Sequence, residues 1–537
     1  MNTKRYKHLL SAAVLCLGAI SFTGCIDETE PTDMATQKQV DGNASAIEGL
    51  VMGIPAAMTT SYFSDRADWA FGYGAIMHIR DIFTEDLATQ DDYDYNNFWF
   101  FGWNKFQGRD YAYAQYLWNY PLQIISTANT VINSIDEKNC DDASLGFLGS
   151  ALCYRAMLYL DMARCYEFQP SDVYPEAVSP EGKDITGLTV PIVRGTETEE
   201  KLRNNPRATR EEMFEFIKED LDKAIEYLPN LESYNKTLPH LDVAYGLMAR
   251  LYMWVENYKE AKKYARLAIN AADTYPISES QATSTASGFN DINQWMWGVS
   301  ITKEALWSNL ANWTAMVVNE TYFGYAGPSG GCDVCMDARM YNRMSDTDWR
   351  KLMYKAPAGS ALDGQNIYID DYLGYYMHEY ASTKFRPGSG NTSDYVKACE
   401  TNYPLMRVEE MYFIEAEAAA QQEPERGKQL LEKFMTENRD PEYTCDPVDG
   451  NIVEEIVFQK RVELWGEGQT FFDVKRLNMP VTRAYEGTNH YPSECFNTTT
   501  RPAWMTWVII RTEEEGNTAL TGLNNPDPSD KYPPIAM

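Results

Sequence analysis

The spacing of four residues near the middle of the chain restricts its fold more than any other feature. Ala249, Tyr252, Ala261 and Ala268 follow one another at intervals of 3, 9 and 7. That is the order small, aromatic, small, small of a tetratricopeptide repeat. The alanines let two antiparallel helices approach closely, and Tyr252 fills the gap between them. Tyr258, Lys259 and Glu260 are predicted to make the turn. One helix pair cannot bury its own face, so a single good repeat implies neighbours. Residues 117–168 and 404–438 are predicted to be degenerate partner pairs.

Helical periodicity extends through much of the chain. Thr209 and Glu212 have capping-box spacing, in which a hydroxyl and a carboxylate reciprocally satisfy the first free N–H groups of a helix. Behind them Met213, Ile217, Leu221, Ala224 and Leu228 form one apolar stripe, and Pro229 stops it. Residues 117–135 and 141–168 read as long helices, and helices return at 405–422, 425–438 and 452–464. Between 276 and 401 Gly, Ser, Asn, Asp and aromatic residues dominate and the period is lost, which predicts a loop-rich lobe with few short strands. The predicted organisation is a leader at 1–24, a tether at 25–40, a helical part at 41–275, the lobe at 276–401 and a C-terminal region at 402–537. Residues 25–537 are expected to form one compact, mostly α unit.

The N-terminus reads as an address. Lys4, Arg5 and Lys7 precede an apolar run from 9 to 20, and Gly24 precedes Cys25. A basic stretch, a short apolar stretch and small residues before a cleavage point make a secretory signal. The cysteine resembles that of a bacterial lipobox, so Cys25 is the expected lipid-attachment residue and first residue of the mature chain. No other stretch reads as long and apolar enough to span a bilayer, which predicts an anchored, non-spanning body. Loss of the three basic residues takes 47 to 44 against 78 acids, a net charge of −34. Such a surface repels phosphate backbones and argues against nucleic acid. Cys332 and Cys335 are the only close cysteine pair; no further zinc ligands or redox context accompany them. No cofactor is expected; acid-rich loops leave a structural calcium open.

Four blocks in order carry a family resemblance. Residues 152–160 contain Arg155, Ala156 and Tyr159, followed by the short run Val190, Pro191, Ile192 and Val193. Residues 207–229 form the second block and 403–417 the third. Residues 456–464 and 468–476, ending on Asp473 and Arg476, close the set. Together they resemble the SusD/RagB family of Bacteroidetes outer-membrane nutrient-binding lipoproteins. Gln459 and Gln469 stand where that family often has Glu and Arg, which is expected to disturb local ion pairing without changing the fold. The resemblance implies a SusD-like fold and a binding protein at the outer face of the outer membrane. It also implies a SusC-like TonB-dependent transporter as partner, with the tetratricopeptide-like side facing it, and an oligosaccharide or peptide as ligand.

The residues themselves favour sugar. Seven aromatics, Tyr93, Tyr95, Phe98, Trp99, Phe100, Phe101 and Trp103, fall in one short stretch with Asp91, Asp92, Asp94, Asn96 and Asn97. Flat rings match the C–H faces of sugars and amides match their hydroxyls. Tyr95, Trp99 and Trp103 are the candidate platforms, with Asn96 as polar partner. A second aromatic group comprises Trp295, Trp297, Trp307, Trp313, Tyr322 and Tyr325. Trp295 and Trp297 point the same way in an extended segment and are further ligand candidates. The five histidines form no metal pair or nucleophile motif, so no catalysis is expected. A peptide ligand, or a helical-repeat scaffold without a ligand, remains the alternative.

Overall fold

The computed structural model describes residues 44–62, 68–89, 98–306, 308–447 and 450–536. Cys25, the tether, Tyr95, Asn96 and Trp307 lie outside them, as does the side chain of Trp99.

Helix α1 (Ala44–Ala57) leads to α2 (Tyr73–Ile82), strand β1 (Leu87–Thr89) and the one-turn α3 (Phe98–Gly102). Then come α4 (Ala112–Asn133), α5 (Asp142–Tyr166), α6 (Arg210–Tyr227), α7 (Leu241–Trp254) and α8 (Tyr258–Ala271). The lobe contributes β2 (Trp297–Ser300), β3 (Val334–Met336), the short α9 (Asp371–Tyr376) and β4 (Asn402–Met406). The chain returns to helices in α10 (Val408–Ala420), α11 (Pro424–Asn438), α12 (Ile452–Glu463) and α13 (Thr470–Arg476). The fold is mostly α. Its described strands pair two by two, β1 antiparallel to β3 and β2 antiparallel to β4.

The long helices stack in one series. α4 packs on α5, α5 on α6, α6 on α7, α7 on α8, α8 on α10, α10 on α11 and α11 on α12. The α7–α8 pair is the predicted repeat. Ala249, Ala261 and Ala268 are fully buried, and Tyr252 stacks on Tyr264 with ring centroids 5.5 Å apart. The turn falls three residues earlier than predicted. Glu256 adopts a left-handed φ of 58°, and the Asn257 side chain accepts the Glu260 N–H, so Tyr258 already begins α8. The capping box at Thr209 forms as predicted, with Glu212 N–H donating to Thr209 Oγ1 at 3.1 Å and Thr209 N–H to Glu212 Oε2 at 2.9 Å. Leu405 and Met406, predicted helical, extend β4 instead; α10 starts beyond Arg407.

α5 corrects a second expectation. By length and composition Asp142–Tyr166 could cross a membrane, but 89% of its most apolar window is buried inside the protein. It is the central helix of the stack, apolar all round because α1, α4, α6 and α7 surround it.

Buried arginine–carboxylate pairs tie the series together. Arg155 on α5 makes two bonds to Asp220 on α6, at 2.8 and 2.7 Å, and a third to Asn129 on α4. Arg250 on α7 binds both oxygens of Glu410 on α10. Asp473 and Arg476 pair on α13, and Arg476 also reaches Glu417 on α10. The family-block charges are therefore struts between helices.

The densest group joins the stack to the lobe. Glu463 accepts from Arg439, Arg407 and Arg350, and Glu467 from Arg407 and Lys384; every one of these side chains is at most 4% exposed. Burial alone would raise the Glu463 carboxyl, but Arg439, Arg407 and Arg350 overcome it and hold it well below the carboxylate range. Gln459 does not leave Arg350 unpaired: its amide oxygen accepts from Arg350 Nη2 at 2.5 Å.

Glu463→Ala leaves three guanidiniums facing one void. We expect a loss of about 3–5 kcal/mol in urea unfolding; a loss below 1 kcal/mol would contradict the strut role. Asp473 is also depressed, to about 2, where Lys460 and Arg476 outweigh burial. A carboxyl held down in the folded state adds stability above its unfolded value, about 3.9, that is lost as pH falls toward 2. Unfolding midpoints should hold from neutral pH to about 4 and then drop. A midpoint that rises on acidification would contradict this.

Candidate functional site

Trp295 and Trp297 are both turned inward. Both are 0% exposed. The indole N–H of Trp297 donates to the Thr237 carbonyl at 3.1 Å, and its ring meets Tyr154 edge-on at 5.0 Å. The Tyr154 hydroxyl donates to the same carbonyl. The Trp295 ring lies against Gly298, where a Cβ would sit 2.7 Å from it. Two-residue alternation says nothing of burial: the Trp297 ring is covered by Tyr154 from α5, and the Trp295 ring packs against Phe289 and Gly298. Neither is a ligand surface. Trp313 is likewise buried, stacked on Tyr403 at 5.1 Å.

Trp103 is half-buried. Phe100 meets it edge-on at 6.3 Å, and Lys105 Nζ lies 5.7 Å from its ring centroid. It directly follows α3; Tyr95, Asn96 and the side chain of Trp99 lie outside the described residues. Tyr322 is exposed and Tyr325 half-buried.

The geometry brings a different set of residues together. A cleft of about 800 Å³ opens between the end of α1 and the turn after β2. Its apolar lining comes from Met52, Pro55, Ala56, Ala305 and Leu306. Its polar lining is hydroxyls and one side-chain amide: Thr59, Thr60, Ser61 and Tyr62 from the end of α1 onward, and Asn235, Thr237, Ser300 and Thr302 from the other segments. Among the described residues Glu304 is the one charged residue lining it, in a chain with 78 acids and 47 bases.

Both walls are fixed from behind. The Tyr120 hydroxyl lies 2.7 Å from the Ala57 carbonyl and 2.8 Å from that of Thr60, pinning the frayed end of α1. Tyr62 is held by Asn119, whose amide donates to its hydroxyl at 2.8 Å. Asn235 Oδ1 accepts from Thr237 N–H and hydroxyl at 3.0 and 2.9 Å, closing a tight turn. Trp297 and Tyr154 then hold the Thr237 carbonyl. Trp297 thus serves the cleft as the inner support of its wall. Ser300 is oriented by Asn402, 2.6 Å away.

An 800 Å³ opening lies within the usual range for small-molecule sites, about 300–1,000 Å³. A lining of alkyl and hydroxyl groups suits a neutral ligand with C–H faces and many hydroxyls. Strongly perturbed acids or bases are elsewhere. Lys475 is pushed down to about 7 by burial, yet its ammonium caps the free carbonyls of Arg164, Cys165 and Glu167 at the end of α5. Among the described residues no group of three or more His, Cys, Asp or Glu is placed to hold a metal ion. The sequence signal for this cleft was weak: Thr59, Thr60 and Ser61 and the Asn235–Thr237 turn are ordinary loop residues until the fold faces them.

Comparison with known proteins adds two kinds of finding. A family model described as starch-binding, associating with the outer membrane, matches residues 71–253, and the model of the SusD family matches residues 338–520. No curated protein matches the chain significantly. Solved structures match over most of its length. A SusD-like carbohydrate binding protein from Bacteroides vulgatus is 20% identical, with a TM-score of 0.68 over 89% of this chain and 97% of that one. A SusD superfamily protein from Bacteroides thetaiotaomicron is 16% identical, with a TM-score of 0.67 over 90% and 100%. Surface glycan-binding protein A from the same organism, solved in complex with laminarihexaose, is 17% identical, with a TM-score of 0.61 over 90% and 99%. At these identities the likeness is one of fold.

Trp297→Ala should behave as a core truncation that also loosens the cleft wall. The expected loss is about 3–5 kcal/mol in chemical unfolding. Unchanged stability would contradict the buried placement.

Proposed function

The chain belongs to the SusD family, and we propose that it captures a neutral oligosaccharide at the cell surface and passes it to a TonB-dependent outer-membrane transporter. The observation that carries the ligand class is the composition of the Thr60–Thr302 cleft, whose described lining is hydroxyl groups, the Asn235 amide and alkyl side chains with one carboxylate. A strongly acidic chain concentrates cations and repels anions at its surface, so a described lining with one charge favours an uncharged ligand. The fold neighbour solved with laminarihexaose is a glycan binder on the same scaffold.

The anchor and the partner complete the reading. Lipid on Cys25 holds the body at the outer face of the outer membrane, and the acidic residues after it act as a leash. The helical stack faces the transporter, so the cleft hands its ligand over without the protein leaving the membrane.

Native affinity electrophoresis against laminarin, amylopectin, xyloglucan and galactomannan tests the central step. At least one neutral polysaccharide should retard the wild type. Ala56→Trp, at an exposed helical position in the cleft lining, should abolish retardation while leaving the unfolding midpoint unchanged. Retardation that survives Ala56→Trp would place the ligand elsewhere. Capture from a peptide library, with no polysaccharide bound, would favour a peptide ligand.

A further inference from the structure

Half of the exposed large hydrophobic side chains among the described residues gather on one small area. Of twelve, six are Tyr322, Ile367, Tyr372, Tyr375, Tyr376 and Tyr395. Four are tyrosines whose rings touch in series. Tyr322 and Tyr372 lie at 6.3 Å and nearly parallel, Tyr372 and Tyr376 at 4.8 Å, and Tyr376 and Tyr375 at 5.0 Å. They are 44, 59, 54 and 77% exposed in the order 322, 372, 376, 375.

The patch is mounted on a braced support. Asp370 caps α9 by accepting the Tyr372 N–H at 2.9 Å, and the Tyr322 hydroxyl donates to its other oxygen at 2.7 Å. At the far end of α9 Lys355 donates to the carbonyls of Gly374 and Tyr375 at 2.9 and 3.1 Å. α9 lies directly on the Tyr368 ring because residue 374 is glycine: a Cβ there would sit 2.5 Å from that ring. Just before α9, Ile369 N–H donates to Glu320, itself paired with Arg386 in the core. So many supports for a one-turn helix fix the rings in place, and fixed rings lose little entropy when a ligand settles on them.

The chemistry points to a neutral ring-bearing ligand. Asp370 and Asp371 give the patch a negative rim, and the nearby ammonium groups of Lys355 and Lys397 are engaged, the first by carbonyls and the second by Asp394. Tyrosine offers a flat apolar face with a hydroxyl at its edge, the pairing a pyranose needs. The patch also connects to the cleft. Tyr322 is three residues from Tyr325, a reach of roughly 10 Å at full extension. The Tyr325 hydroxyl donates to Asp68 at 2.8 Å. Asp68 lies in the loop whose ends pair through Tyr62 N–H and the Ala70 carbonyl at 3.0 Å, and Tyr62 lines the cleft.

We propose that Tyr322, Tyr372, Tyr375 and Tyr376 form a second glycan-contacting surface, engaged only by chains long enough to run on from the cleft. Short oligosaccharides fill the cleft alone; longer ones hold both surfaces, and the second contact acts at high effective concentration. Affinity therefore rises with chain length. This rests on the glycan reading of the cleft.

The test uses the full protein and whichever of the four polysaccharides retards it, together with the trisaccharide of that polymer. Tyr372→Ala/Tyr376→Ala changes exposed side chains, and its unfolding midpoint should equal that of the wild type. Calorimetry and affinity electrophoresis should show at least a tenfold loss for the polysaccharide and less than a twofold change for the trisaccharide. Equal polysaccharide affinity in wild type and variant overturns the second surface and leaves the cleft reading standing. Equal loss for both ligands also overturns it, because one subsite then serves all lengths. A wild type that binds no neutral polysaccharide overturns both readings.

Discussion

Glu463 is the residue on which the architecture turns. It sits at the end of α12 and receives guanidinium groups from three places in the sequence: Arg350 in the lobe, Arg407 before α10, and Arg439 after α11. Glu467 extends the group to Lys384. Isolated, each of these charges would be costly to bury. With Asp348 on Arg350 and Glu409 on Arg407 and Arg439, four carboxylates balance four cations and fix the angle at which the loop-rich lobe meets the helical stack. Such a network contributes specificity rather than raw stability, since apolar residues of equal volume could pack the same space. Everything presented by the lobe, including the β2 turn and α9, inherits its position from this joint.

The same logic explains the charged residues of the family blocks. Arg155, Glu410, Asp473 and Arg476 fall in these stretches, and all are consumed by interhelical pairs, with Asp220, Arg250, Lys460 and Glu417 respectively. Helices in a repeat stack present small residues to one another and slide easily; a bidentate arginine–carboxylate pair gives each interface one register. Function is then left to the loops, which this scaffold holds apart.

Much of the fold was legible in the sequence because its signals are local. The four-residue spacing around Tyr252, the capping box at Thr209 and the apolar stripe from Met213 to Leu228 each depend on neighbours within a few turns. The missed turn at Val255–Asn257 hinged on a left-handed Glu256, a conformation that residue type does not announce. The site was less legible. Alternation predicts one shared face for Trp295 and Trp297, but burial depends on distant partners: Trp297 packs on Tyr154, from a helix about 140 positions earlier in the chain, and Trp295 on Phe289 and Gly298. The cleft is built from threonines, serines and asparagines brought from three distant segments, so no single stretch carries its signature. The tyrosines of α9 carried no signal either: Tyr372, Tyr375 and Tyr376 fall in the loop-rich stretch without helical period, and their exposure is set by the distant groups that brace α9.

A crystal structure of the protein with a bound neutral oligosaccharide tests the account most directly. Sugar rings should lie over Ala56 and Leu306, with hydroxyls bonded to Thr60, Asn235 and Thr302, and a longer chain should continue toward Tyr322 and Tyr372. A ligand seated on the concave side of the helical stack, with the cleft empty, would contradict it.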